Sequence, residues 1–147
     1  MAKKKPKTRI MVFGTFDVLH KGHLHFFKQA KRLAKDHFLI VSVARDINVK
    51  KIKGRPPLLP ERKRLQLVRK SKWADEVILG QQKGFLKHIL RARPALIALG
   101  HDQMAYTAGL KNKLKKAGLR VRIVRLKPFN RRHYSSSLEK KRRLLKV

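Results

Sequence analysis

Short apolar segments that stop at a glycine recur along the chain and alternate with helix-type patterns. The runs Ile10–Phe13, Val77–Leu79 and Leu96–Leu99 are each followed directly by a glycine. Between these runs, apolar residues recur at spacings of three and four, as on the buried face of a helix. Strands that alternate with helices in this way favour βαβ units and a parallel sheet.

Two further runs complete the expected sheet. Phe38–Ala44 is apolar except for Ser42, and Val121–Leu126 follows a helical stretch that Gly118 is expected to end. Nearly continuous apolar strands are typical of a parallel sheet that is covered on both faces. The sequence therefore predicts an α/β, Rossmann-like fold: an open parallel five-stranded sheet with helices on both faces. Ligands bind such sheets beyond the carboxyl ends of the strands.

Length and composition limit the class of protein. Residues 1–147 are predicted to form a single domain, with a basic N-terminal tail (1–8) and a basic C-terminal helix end (139–147). The absence of cysteine excludes disulfide and thiolate chemistry. No apolar stretch is long enough to span a bilayer, and the run after the basic N-terminus is too short for a signal peptide. We therefore expect a cytoplasmic protein without a membrane partner.

The charge balance is extreme. Forty Lys and Arg against eight Asp and Glu give a formal net charge of +32, which predicts non-specific binding of nucleic acids and other polyanions. The helical stretches 28–35, 111–116 and 139–146 are almost purely basic, whereas ordinary helix faces mix both signs. We hypothesise that the surface has been made positive, by engineering or by unusual selection, while the functional site was left unchanged.

The segment 14–27, GTFDVLHKGHLHFF, places histidines where a strand gives way to a helix. Gly14 lacks a side chain, so a ligand is expected to approach the backbone there. A helix that begins near Gly22 offers free N–H groups to an anion. His20 and His23 flank that helix start and can donate hydrogen bonds to a phosphate, whereas a metal pair is disfavoured because no third ligand follows. We interpret His25 as an ordinary surface residue.

Several segments, taken in order, resemble a known family. They are GTFDVLHKGH, VARD, KGRPPLLPERKR, ADEVILG, RPALIALGHDQ and YSSS. They resemble the nucleotidylyltransferase superfamily, in which a TFD lead-in precedes an HxGH motif, and the resemblance covers roughly residues 9–138. The most similar subgroup is the archaeal-type FAD synthetases, which are FMN adenylyltransferases. Glycerol-3-phosphate cytidylyltransferases come next, although their RTEGIST-like segment is replaced here by NRRHYSSS.

The resemblance implies a reaction. A phosphate monoester would attack the α-phosphorus of a nucleoside triphosphate, with release of pyrophosphate. ATP and FMN as substrates, FAD as product and Mg²⁺ bound with the triphosphate are implied, without a metal site built by the protein. The alternatives are a CTP-dependent cytidylyltransferase acting on a small phosphoalcohol such as glycerol-3-phosphate and, from another class, a polyanion-binding or nucleic-acid-binding protein on the same fold. A homodimer is left open.

The resemblance also implies roles for individual residues. The implied catalytic residues are His20, His23, Lys53 and Arg64. The implied nucleotide-binding residues are Gly14, Thr15, Phe16, His20, His23, Gly100, Asp102, Gln103, Ser135, Ser136 and Ser137. Asp17 and Asp46 are implied at the acceptor side, with a structural or ribose-side role left open for Asp17. Lys50, Lys51 and Lys53 are expected in a loop after the second strand, and one of them is expected to reach a phosphate. Ser136 and Glu139 form a capping-box pattern that predicts a further helix start.

Overall fold

Strands and helices alternate in the computed structural model, which describes residues 6–104 and 107–128. The strands are β1 (Thr8–Gly14), β2 (His37–Val43), β3 (Glu76–Leu79), β4 (Leu96–Leu99) and β5 (Arg122–Arg125). The helices are α1 (Lys21–Lys31), α2 (Asp46–Lys53), α3 (Glu61–Ser71), α4 (Phe85–Ala92) and α5 (Leu110–Lys116). Thr8, expected in the N-terminal tail, is the first residue of β1. The predicted helix start at Ser135–Ser137 and the basic end 139–147 lie outside the described residues.

The sheet has the strand order β3-β2-β1-β4-β5, and every pairing is parallel. This confirms the predicted Rossmann-like fold. The chain builds outward from β1 to β3 and then crosses back to place β4 against β1, with Ile10 opposite Leu96. The topological switch point therefore lies between β1 and β4, where open α/β sheets bind ligands beyond the strand ends.

Two apolar layers cover the sheet. Neighbouring residues of a strand point to opposite faces, so Ile10 and Met11 belong to different layers. Ile10 packs in one layer with residues of α1 and α3, whereas Met11 packs in the other with residues of α4 and α5. Burial on both faces explains why the strands read as apolar runs rather than as alternating patterns. No helix among the described residues is long and apolar enough to cross a membrane.

The segment after β2 differs from the prediction. It was expected to be a loop, but it forms helix α2, so Lys50, Lys51 and Lys53 are helical residues. Its apolar residues at 47, 49 and 52 do not share one helical face, and of these only Val49 is buried. The helix therefore lacks the periodic pattern from which a helix is inferred. Its C-terminal end is marked instead by Gly54, which has φ +77.

Candidate active site

A cleft of about 740 Å³ opens beyond the carboxyl ends of the strands. Its walls come from the end of β1, the start of α1, the end of β2 and the residues after β4. The predicted site residues that line it are Gly14, Thr15, Phe16, His20, His23, Lys53, Gly100, Asp102 and Gln103. The fold thus brings together segments that are far apart in the sequence.

The HxGH segment forms the first turn of α1. His20 is the N-cap, and its Nδ1 accepts a hydrogen bond from Gly22 N at 3.0 Å. His23, three residues on, accepts from His20 N through its own Nδ1 at 3.3 Å. These reciprocal contacts are a capping box in which two imidazoles replace the usual hydroxyl and carboxylate. The spacing of the motif is therefore the spacing of a helix cap, and the two rings stack with centroids 4.1 Å apart.

The capping contacts determine where each ring carries its proton. Since both Nδ1 atoms accept hydrogen bonds, a neutral ring at either position carries its proton on Nε2. Burial, the neighbouring His20 and Lys53 together lower the pKa of His23 to about 3, against a weaker raising effect from a hydrogen bond with the Val18 backbone. His23 is therefore neutral near pH 7. In this state the ring offers an uncharged N–H donor, and the Val18 backbone is one acceptor beside it.

Gly14, which lines the cleft, also makes room for the ring of Phe16. A Cβ at this position would lie 2.6 Å from Cζ of Phe16, so only glycine leaves space for that ring. Phe16 itself has φ +52, a left-handed conformation that is uncommon for a bulky residue. Its buried ring meets His23 edge-on, with centroids 5.4 Å apart, and packs against Phe27. Gly14 and Phe16 thus hold the lead-in to α1 and support the ring of His23.

Arg64 does not reach the cleft. Its side chain has no exposed surface, and its Nη2 pairs with Asp46 Oδ1 at 2.6 Å. Nη1 donates to the carbonyls of Thr15 and Ala44, both at 2.8 Å, and Nε donates to Leu59 O at 3.0 Å. The implied phosphate contact is corrected accordingly: Arg64 joins the ends of β1 and β2 to the start of α3 from below the site.

Asp46 belongs to the same network. Its Oδ2 accepts from Glu61 N at 3.3 Å, and Glu61 Oε1 accepts in return from Asp46 N at 3.0 Å. Glu61 also accepts from Arg45 Nη1 at 2.8 Å, and Arg45 Nε donates to Gly80 O at 2.7 Å. The side chain of Asp46 therefore fastens α2 to α3 and is not among the groups that line the cleft, which corrects its implied acceptor contact.

Asp17 is also a supporting residue. Its carboxylate is fully buried, and its two oxygens accept from Leu58 N at 2.7 Å and Leu59 N at 2.8 Å. Two backbone donors on one carboxylate hold the segment that leads into α3. These contacts favour a structural role over the implied acceptor contact, because Asp17 is buried and is not among the residues that line the cleft.

The segment after β4 closes the opposite wall. Gln103 Oε1 accepts from Gly100 N at 2.8 Å, and its Nε2 donates to Phe13 O at 2.6 Å. Gln103 thus ties the end of β4 to the end of β1 and uses both ends of its amide within the protein. Asp102 is different, since its side chain is 72% exposed beside His101. Of the carboxylates in the described chain, Asp102 is the one that lines the cleft.

One of the three lysines of α2 reaches the cleft. Lys53 lines it, whereas Lys50 and Lys51 do not. His25 was expected to be an ordinary surface residue, but it also lines the cleft and is half-buried. The implied Ser135–Ser137 contacts lie outside the described residues. Across the part of the chain that the structure describes, no three His, Cys, Asp or Glu side chains gather as metal ligands.

One pair in the cleft was missed. Ser42 Oγ and His88 Nε2 lie 2.7 Å apart, and both side chains are buried. The available signal was Ser42 itself, a polar residue inside an apolar strand, because a buried hydroxyl needs a partner. Nothing in the sequence pattern indicated that His88, more than 40 residues later, supplies it.

An open parallel sheet with a cleft lined by polar groups at its switch point defines an α/β domain of the Rossmann-like type. Residues 11–143 match the family model described as Cytidylyltransferase-like, and the chain belongs to this family.

Curated relatives cover most of the chain. It is 45% identical to an FAD synthase from Korarchaeum cryptofilum, over 95% of this chain and 92% of that protein. It is also 45% identical to an FAD synthase from Pyrococcus horikoshii, over 82% of this chain and 80% of that protein. Among solved structures, a lipopolysaccharide core biosynthesis protein from Thermoplasma volcanium superposes with a TM-score of 0.77 at 37% identity. That superposition covers 85% of this chain and 100% of that one.

Proposed function

We propose that the protein is an FMN adenylyltransferase, which transfers AMP from ATP to FMN and releases pyrophosphate to yield FAD. The observation that carries this proposal is the imidazole capping box at the cleft, in a chain 45% identical to an FAD synthase over 95% of its length. The cytoplasmic location expected from the sequence belongs to the same proposal, because ATP and FMN are cytoplasmic metabolites.

The chemistry suits the groups in the cleft. The phosphate of FMN is largely dianionic near neutral pH, with a second pKa of about 6, so its oxygen needs no general base. That oxygen forms a bond to the α-phosphorus of ATP while the bond from that phosphorus to the departing pyrophosphate breaks. Negative charge then spreads over the equatorial and leaving oxygens. The protein therefore has to align the two phosphates and stabilise that charge.

Three features of the cleft serve these needs. His20 and His23 can donate from Nε2 to oxygens of the α-phosphate, and the N-terminus of the helix favours an anion at the same place. Lys53 adds a positive charge from the wall formed by α2. Each of these groups is in position before substrate binds, so little reorganisation is needed in the transition state. The other implied nucleotide contacts, Gly100 and Asp102, form the wall beyond β4.

We propose that Mg²⁺ enters with ATP. Proteins usually hold Mg²⁺ through one or two carboxylates together with substrate phosphates and water. Asp102 fits that pattern, because it places an exposed carboxylate in the cleft. The ion would supply charge neutralisation on the leaving pyrophosphate.

The test is a substrate screen with pyrophosphate release as the readout. Each of the four nucleoside triphosphates is paired with FMN and with glycerol-3-phosphate, with Mg²⁺ present. ATP with FMN is expected to give stoichiometric FAD and pyrophosphate. Turnover of CTP with glycerol-3-phosphate, while flavin is ignored, would establish the cytidylyltransferase alternative instead.

A second candidate function rests on the net charge of +32. This charge supports binding of nucleic acid or another polyanion alongside catalysis. Affinity for single-stranded RNA of increasing length, measured across a salt series, tests it. We expect affinity to rise with RNA length and to fall steeply with salt, whereas a flat salt response would exclude this mode of binding.

A further inference from the structure

The Ser42–His88 pair lies in the cleft on β2 and α4, two elements that carry none of the groups proposed to act on phosphate. Ser42 is near the carboxyl end of β2, and His88 is on α4. The two residues are 3% and 5% exposed, and Ser42 Oγ lies 2.7 Å from His88 Nε2. Both line the cleft on the side of β1 that faces β2 and β3. A buried polar pair that borders the cleft can form a hydrogen bond with a bound ligand as well as stabilise the fold.

The surroundings of this pair suit a flat ring. Phe13 and Phe85 line the same part of the cleft, with ring centroids 5.2 Å apart and planes inclined by 48°. A Cβ on Gly80 would lie 3.7 Å from Ser42 Oγ, so the glycine leaves room beside the hydroxyl. Aromatic side chains bind planar rings through apolar area and through edge or face contacts. This side of the cleft therefore combines an aromatic wall with a small polar group.

The pair is neutral and adaptable. Burial, followed by the nearby charges of Arg91 and Arg45, lowers the pKa of His88, so the ring carries no charge at neutral pH. If His88 Nε2–H donates to Ser42, the hydroxyl hydrogen can be donated to a third group. With the other tautomer the hydroxyl donates to His88, and its oxygen can accept instead. Such a pair can match either a donor or an acceptor on the edge of a heteroaromatic ring.

We propose that Ser42 and His88 determine acceptor specificity by binding the polar edge of the acceptor's heteroaromatic ring, while Phe13 and Phe85 pack against the ring. This rests on the proposed function and assigns the part of the cleft that recognises the flavin ring rather than its phosphate. A small phosphoalcohol has no ring to place there. The pair thus favours a phosphorylated heteroaromatic acceptor over a phosphoalcohol.

The test separates recognition of FMN from recognition of ATP. His88→Leu removes the hydrogen bond, His88→Gln retains an amide in its place, and Lys87→Leu is the matched control on the exposed side of α4. We expect His88→Leu to raise the KM for FMN by about tenfold or more, since it leaves a polar group unpaired in the site. The dissociation constant of MgATP should stay within about twofold, and His88→Gln should recover most of the FMN affinity. Lys87→Leu should match the parent protein.

An unchanged KM for FMN in folded His88→Leu, or an equal loss of FMN and ATP affinity, would overturn the proposal. If His88→Leu does not fold, Ser42→Ala carries the same test. If the parent protein forms no FAD, the proposed function fails, and quenching of FMN fluorescence on binding decides the inference separately. Parent binding that is lost in His88→Leu supports it, and absence of parent binding overturns it.

Discussion

Two regions of the molecule contain residues that a motif comparison assigns to ligands, and the structure uses them differently. At the start of α1, His20 and His23 line the cleft and carry their protons on the nitrogen that is not engaged in capping. Below the cleft, Arg64 directs its guanidinium to backbone carbonyls and to Asp46. The first region presents chemical groups, whereas the second holds the backbone that presents them.

Burial explains this division. A fully buried guanidinium must be paired, because an uncompensated charge inside a protein is costly. Arg64 satisfies this requirement with three carbonyls and one carboxylate, which leaves it no role at the surface of the cleft. An imidazole can be neutral, so His23 tolerates a half-buried position and still donates one hydrogen bond. A motif residue is therefore not identified as catalytic by its type and spacing alone.

The largest effect on stability is expected from Arg64→Leu, which removes the central residue of the region below the cleft. Removing the guanidinium leaves the carbonyls of Thr15, Ala44 and Leu59 without its N–H donors, and the free energy of unfolding should fall by about 3 kcal/mol or more. Denaturant unfolding measures this change. Lys63→Leu, at an exposed neighbouring position of α3, should change stability by less than about 0.5 kcal/mol. An unaltered denaturation midpoint for Arg64→Leu would show that Arg64 does not stabilise the fold and would contradict the supporting role given to its region.

The converse effect is expected from His20→Ala and His23→Ala. Each should slow FAD formation by about 10²-fold or more, through loss of one preorganised donor. Stability should fall by only about 1 kcal/mol, the contribution of a helix cap. His37→Ala, at the opposite end of the sheet, is the control that should retain turnover. The measurements are steady-state rates and melting temperatures on the same preparations.

Asp17→Asn tests whether Asp17 stabilises the fold, as Arg64 does, rather than binds the acceptor. One of the two backbone N–H donors at Leu58 and Leu59 would then face an amide NH₂ instead of an oxygen. We expect a loss of about 1–3 kcal/mol in the free energy of unfolding. Asp36→Asn, on an exposed turn, is the control. A loss of FMN affinity without loss of stability would return Asp17 to the acceptor site and contradict the structural role.

The pH dependence of stability tests the state of His23. Its pKa is lowered from 6.5 to about 3 in the folded protein, so between these values the unfolded chain binds the extra proton. The free energy of unfolding is therefore highest above pH 6.5 and falls as the pH drops towards 3, by up to about 1.4 kcal/mol per pH unit. His23→Gln retains a capping side chain and should show a shallower fall. Identical slopes for the two proteins would mean that folding does not lower the pKa of His23.

The smallest expected effect concerns the surface rather than either region. The described acids are engaged largely in contacts such as Arg64–Asp46 and Arg45–Glu61, which leaves most exposed cations without a carboxylate. Self-repulsion should be screened by salt, so the melting temperature should rise with ionic strength, more steeply for sulfate than for chloride. A melting temperature that is flat from low to moderate salt would contradict the hypothesis of a surface made positive.

The strands and the site's location were predictable because burial on both faces leaves a strong pattern. β4 was predicted with its observed bounds, and β1 and β2 within about two residues of theirs. Helix α2 was missed because only one of its apolar residues is buried, so its sequence shows no helical periodicity. The supporting role of Arg64 was not predictable, since its carbonyl partners lie up to 49 residues away in the sequence. For Asp17 a structural role was left open, but its partners Leu58 N and Leu59 N could not be inferred. The same holds for Ser42 and His88, which meet only after β2 and α4 have packed.

The central claim is that the imidazole pair at the start of α1 carries out the transfer of AMP to FMN. The most direct measurement is the single-turnover rate of FAD formation from ATP and FMN, for the parent protein and for the His20→Ala/His23→Ala double variant. It is made at a temperature where circular dichroism shows that both are folded. The account predicts FAD and pyrophosphate from the parent protein, and a rate at least about 10²-fold lower from the double variant with FMN still bound. FAD formation by the double variant at the parental rate would contradict it.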